Sequence, residues 1–160
     1  MQGPYRLDLK LGPSVGIIDT SGTRFRLGVH FGMGVISGPR YRLLLALPVG
    51  FGLGAGFTFV SVLPGIEADV QIVSGMPFFL YPMIGVGMGV LVSPCTGPPQ
   101  RARCENNLAF GLRAGVGIRY VVWGRWNFLF EPFNLEFYPA GSAGYTMGFY
   151  NVLLGAGVNF

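Results

Sequence analysis

Along most of this chain every second residue is bulky and apolar, and the residues between are glycine, polar or charged. Phe25, Leu27, Val29, Phe31, Met33 and Val35 alternate with Arg24, Arg26, Gly28, His30, Gly32 and Gly34. A period of two is strand geometry, because successive side chains point to opposite faces of the pleat. The last stretch obeys the same rule: Tyr150, Val152, Leu154, Ala156, Val158 and Phe160 alternate with Asn151, Leu153, Gly155, Gly157 and Asn159. Phe160 completes the pattern, which predicts a structural role for it rather than a frayed end.

The chain is 51% hydrophobic and 11% charged, with a mean hydropathy of +0.51. Ordinary soluble domains carry about 25% charged residues. Residues 43–66 and 70–100 contain no Asp, Glu, Lys or Arg, long enough for membrane helices. Glycine placement argues against helices. Gly50, Gly52, Gly54 and Gly56 fall at every second position, as do Gly85, Gly87 and Gly89. Each would cost a helix roughly 0.8–1 kcal/mol relative to Ala, and only a strand collects them on one face. Pro48, Pro64, Pro77 and Pro82 interrupt the same runs.

Strands are predicted at about 5–12, 24–35, 41–53, 66–72, 78–92, 108–120, 128–138 and 145–160. Residues 37–40, 74–77 and 123–126 form short turns, and a parity slip at Glu131-Pro132 predicts a bulge. A loop is expected over Pro13 to Gly22, another somewhere in 54–65, a third over Ser93 to Asn107 and a shorter one over 139–144. This gives eight strands joined by alternately long and short connections. Tyr5, Tyr41, Phe78, Tyr120, Phe128 and Phe160 then share one face and one end of their strands, as a girdle does.

The bulky set must face outward. Eight strands of Leu, Phe and Val would overfill a barrel only just wide enough for side chains. Turned out, they meet lipid, while glycine leaves room inside for long charged side chains. The fold expected is therefore all-β: one domain, residues 1–160, an eight-stranded antiparallel transmembrane β-barrel.

Strand count, loop asymmetry and the terminal Phe160 resemble the small bacterial outer-membrane β-barrels of the OmpA and OmpX type, over nearly the whole chain. The resemblance implies a place in the outer membrane of a Gram-negative-type cell, with short turns and termini in the periplasm. It implies outer-membrane lipids as surroundings, and barrel-assembly machinery as a partner during insertion. Tyr150, Val158 and Phe160 would be the terminal signal that machinery reads. Met1-Gln2-Gly3-Pro4 has no signal-peptide character, so a mature form carrying an added start Met is expected.

Chemistry is sparse. Gly50 to Gly56 has the letters of a dinucleotide fingerprint, but no helix follows to hold a phosphate. His30 is the single histidine and faces inward; it reads as a hydrogen-bonded interior group rather than a catalytic one. No metal-site spacing occurs and no cofactor is expected. The net charge of +4 includes no dense basic run, so no nucleic-acid partner is expected.

The inward charges carry more. Arg6, Lys10, Arg24, Arg26, Arg42, Arg113 and Arg119 share the lumen face with Asp8, Glu67, Asp69 and Glu131. Unpaired buried charge is costly, so these should form a network, with Arg24, Arg26 and Arg113 set against Glu67 and Asp69. Such a network is either a structural plug or, since bases outnumber acids, a narrow anion-leaning pore. Cys95 and Cys104 lie in a polar loop, where a disulfide is expected in an oxidising compartment. The reading these features favour is a non-enzymatic scaffold, adhesion or interaction protein with outward loops and an envelope partner. A pore and a lipid A deacylase or acyltransferase are the alternatives.

Overall fold

A computed structural model describes residues 3–18, 23–54, 57–92, 106–139 and 146–160. The cysteine loop, with Cys95 and Cys104, lies outside the described residues. The strands are β1 (Tyr5–Ile18), β2 (Thr23–Ser37), β3 (Tyr41–Gly54), β4 (Phe57–Val62), β5 (Gly65–Gln71), β6 (Phe78–Val92), β7 (Asn106–Val122), β8 (Trp126–Tyr138) and β9 (Met147–Asn159). Each pairs antiparallel with its neighbours, and β1 pairs with both β2 and β9, which closes the sheet.

β4 and β5 are two halves of one strand. Val62 lies opposite Val49 and Met88, and Gly65 lies opposite Ala46 and Gly85, so the register passes through unbroken. What lapses is the ladder. The Leu63 amide donates to the Pro48 carbonyl at 3.2 Å, and the Val86 amide donates to the Pro64 carbonyl at 2.9 Å. Neither proline has an N–H to return. Two ladder bonds are thus missing around Leu63–Pro64, and the wall is an eight-stranded antiparallel barrel.

Two expected loops are strand over most of their length. β1 continues through Pro13 to Ile18: pairing with β9 skips Gly12 and Pro13, but pairing with β2 runs on through them. Much of 54–65 is β4. Its alternation is hard to read because Phe59 and Leu63 face inward while Val60 and Val62 face outward, so both parities are apolar. As a result only residues 19–22 and 55–56 separate the strands at two of the outer connections, against residues 93–105 at the third. The long–short asymmetry is weaker than expected. The bulge in β8 is present: the register to β9 shifts between Glu131 and Asn134.

Leu7, Leu9, Leu11, Phe25, Leu45 and Leu154 are among the large apolar side chains exposed on the outside. Tyr5, Tyr41, Tyr120, Phe128 and Phe160 ring the end where the termini and short turns lie, with the Tyr5 and Phe160 rings 5.9 Å apart. An outward apolar band with an aromatic girdle and an inward polar set is a membrane-spanning arrangement.

Candidate functional site

Parity sends the charges inward, and strand tilt stacks them in layers. Nearest the termini, Arg6 of β1 holds three carboxylates: Asp8 at 2.7 Å, Glu67 at 2.5 Å and Asp69 at 3.5 Å. Arg119 of β7 also pairs with Asp69. All five groups are buried. Arg42 lies opposite Asp69 in the neighbouring strand and donates to the Pro4 carbonyl at 2.8 Å.

Glu131 organises the middle layer. Its carboxylate pairs with Lys10 and, at 3.2 Å, with Arg113. It also accepts from Asn134 Nδ2 at 2.6 Å and from the Tyr81 hydroxyl at 3.2 Å. Lys10 Nζ donates to His30 Nδ1 at 2.9 Å. An ammonium has donors only, so Nδ1 is the acceptor and the Nε2 edge turns to Glu67, 3.6 Å away. Nδ1 is therefore engaged by Lys10, while Nε2 stops just short of hydrogen-bond distance from Glu67.

Toward the outer end, Arg26 bridges Glu136 at 2.5 Å and Ser61 Oγ at 2.7 Å, and the Tyr138 hydroxyl donates to Glu136 at 2.9 Å. Around and above this level the lumen turns apolar. Phe59, Leu63, Ala109, Tyr138, Met147 and Phe149 form one buried cluster. The Phe59 ring lies 4.8 Å from Tyr138 and 5.4 Å from Phe149. The Arg24 guanidinium sits over Phe149 at 4.7 Å.

Glycine makes these fillings possible. A Cβ on Gly50 would strike the Arg26 guanidinium, on Gly117 the Tyr81 ring, and on Gly111 the Tyr138 ring. Among the described residues, two small voids of about 20 and 10 Å³ lie beside His30 and Pro48. Each has room for no more than about one water. Ser61 and His30 both border the larger void, but the hydroxyl is engaged by Arg26 and the imidazole by Lys10.

The seven bases and four acids read from the sequence are all buried inside. The expected partners differ. Glu67 and Asp69 belong to Arg6 and Arg119, whereas Arg113 pairs with Glu131 and Arg26 with Glu136. Height explains the correction. Asp69 lies opposite Arg42 near the turns, while Arg26 lies opposite Gly52 near the outer end. Glu136 and Tyr138 were missed because they follow the β8 bulge, which returns their parity to the lumen. At the C-terminus, the Tyr150 hydroxyl donates to the Pro132 carbonyl at 2.5 Å. Val158 lies opposite Leu7 and Trp126, and Phe160 is exposed on the girdle. Asn127 and Asn159 exchange side-chain bonds at 2.9 and 3.3 Å.

No family model matches the sequence, and no curated protein matches it. Solved structures do. Neisserial surface protein A superposes with a TM-score of 0.75 at 12% identity, over 100% of this chain and 99% of that one. Ail, the attachment invasion locus protein of Yersinia pestis, gives 0.60 at 12% identity over 100% of both chains. The outer membrane enzyme PagL gives 0.59 at 14% identity, over 94% of this chain and 97% of that one. The fold is that of the small eight-stranded outer-membrane β-barrels.

Proposed function

We propose that this chain is a non-enzymatic, non-conducting barrel of the outer membrane of a Gram-negative-type cell, acting as an adhesion or interaction scaffold through its outward connections. The filled lumen carries this reading. Among the described residues, ion-paired layers fill the lumen toward the termini, the Arg26–Glu136 pair and an apolar cluster fill it toward the loops, and the two voids beside His30 and Pro48 have room for about one water each. A barrel whose described interior is filled in this way acts through what it shows outside, and loops on a rigid scaffold are where contacts concentrate.

Superposition on an attachment invasion locus protein and on a neisserial surface protein supports the same reading. Superposition on an outer membrane enzyme keeps the lipid A-modifying alternative in view. In that alternative His30 would act, yet its Nδ1 accepts from Lys10 deep inside the lumen. Two measurements on cells with and without the protein separate the readings. Cross-linking in the native envelope is expected to capture a protein partner, and lipid A mass spectra are expected to be identical. An altered acyl pattern, lost on His30→Ala, overturns the proposal. Tyr150, Val158 and Phe160 are proposed as the segment read by the barrel-assembly machinery.

A further inference from the structure

The larger of the two voids beside His30 is bordered by residues of β1, β2, β3, β4, β7, β8 and β9, which places it inside the lumen. Its charged lining is lopsided. Lys10, Arg26 and Arg113 border it against a single carboxylate, that of Glu136. All four side chains are buried, so bulk water does little to screen the imbalance.

The imbalance survives a count of the surrounding layer. Toward the termini, Arg6, Arg42 and Arg119 stand against Asp8, Glu67 and Asp69, and the signs cancel. Around the void, Lys10, Arg26 and Arg113 stand against Glu131 and Glu136 alone. Among the described residues this layer therefore carries one positive charge more than its carboxylates offset. Arg24 is outside the count, because its guanidinium lies over Phe149 toward the outer end. A donor is left over as well: Arg113 reaches Glu131 through one terminal nitrogen, while its Nε has no hydrogen-bond partner among the described residues. Uncompensated buried charge is costly.

We propose that this void is a halide site, in which one chloride sits among Lys10, Arg26 and Arg113 as a structural counter-ion. Size and charge select the occupant together. At about 20 Å³ the void exceeds the roughly 10–15 Å³ that one water requires. A monoatomic anion, little wider than a water, fits there, whereas phosphate, sulfate and acetate do not. The anion enters as the barrel closes during folding. It is held rather than passed on, because the terminal ion pairs lie on one side of it and the apolar cluster on the other.

The test is equilibrium unfolding in phosphatidylcholine vesicles, with chloride replacing gluconate at fixed ionic strength and gel heat-modifiability as the folding control. The folding constant should rise with chloride, approaching about tenfold for each tenfold of chloride, the slope of one bound ion. Bromide should act as chloride does, and screening alone would leave the two salts equal. Gly28→Ala puts a methyl into the void without a clash, since its Cβ would lie 3.8 Å from the Val49 carbonyl oxygen and 4.0 Å from Lys10 Cβ. That variant should fold and lose the chloride dependence. Arg113→Gln, which removes the excess charge, should lose it too. A folded wild-type barrel indifferent to chloride overturns the inference, and means that a water fills the void or that Lys10 is neutral. A Gly28→Ala barrel that keeps the full slope overturns it as well. Crystals grown in bromide give the direct view: one anomalous peak among Lys10, Arg26 and Arg113 is expected, and its absence contradicts the site. Conductance plays no part in these readouts, so the halide site and the sealed lumen stand or fall separately.

Discussion

The two ends of the lumen are filled by different physics. Toward the termini, Arg6, Asp8, Glu67, Asp69 and Arg119 are joined by charge, and each group's burial is tolerable only because its partners are present. Toward the loops, Phe59, Tyr138, Met147 and Phe149 fill space by size, with Arg24 lying across an aromatic face. Glu131 stands between them, gathering Lys10, Arg113, Tyr81 and Asn134 on one carboxylate. A small barrel can thus be sealed in two ways. The charged way demands specific partners, and the apolar way demands only volume.

If the contrast is right, the largest penalty comes from the carboxylate with the most partners. Glu131→Gln leaves Lys10 and Arg113 buried without their counter-charge, and should destabilise the barrel by about 3–5 kcal/mol. Equilibrium unfolding in lipid vesicles measures this; an unmoved midpoint means the middle layer is hydrated. Next comes the apolar end, where Phe59→Ala should cost about 3 kcal/mol through the cavity it opens. Phe59→Leu should cost only about 1 kcal/mol, because an apolar side chain of similar size still fills the space. A Leu variant as damaging as the Ala variant would break the distinction between the two ends. The smallest effect belongs outside: Leu154→Val on the lipid face should change stability by less than about 0.5 kcal/mol. A larger loss there would mean that Leu154 packs against protein rather than lipid.

The same contrast explains what was legible in the sequence. At the charged end, parity alone assigns Arg6, Asp8, Glu67 and Asp69 to the lumen, because charge against leucine is unambiguous. At the apolar end the signal fades. Phe59 and Leu63 face inward while Val60 and Val62 face outward, so β4 looked like loop. Glu136 and Tyr138 were hidden by the bulge, which shifts parity by one residue. Partner choice was not legible at all. Parity says which side chains enter the lumen, but strand tilt and stagger set the height at which they meet, and that placed Asp69 with Arg119 rather than with Arg26.

On the proposed reading both fillings together leave no passage, and electrical recording in planar bilayers tests this most directly. Heat-modifiable protein, reconstituted at high salt, should give no stepwise conductance above the lipid baseline, and Phe59→Ala should remain silent because the ion-paired layers still close the other end. Reproducible conductance steps from the wild-type chain, with selectivity for anions, would contradict the sealed lumen and establish the narrow pore in its place.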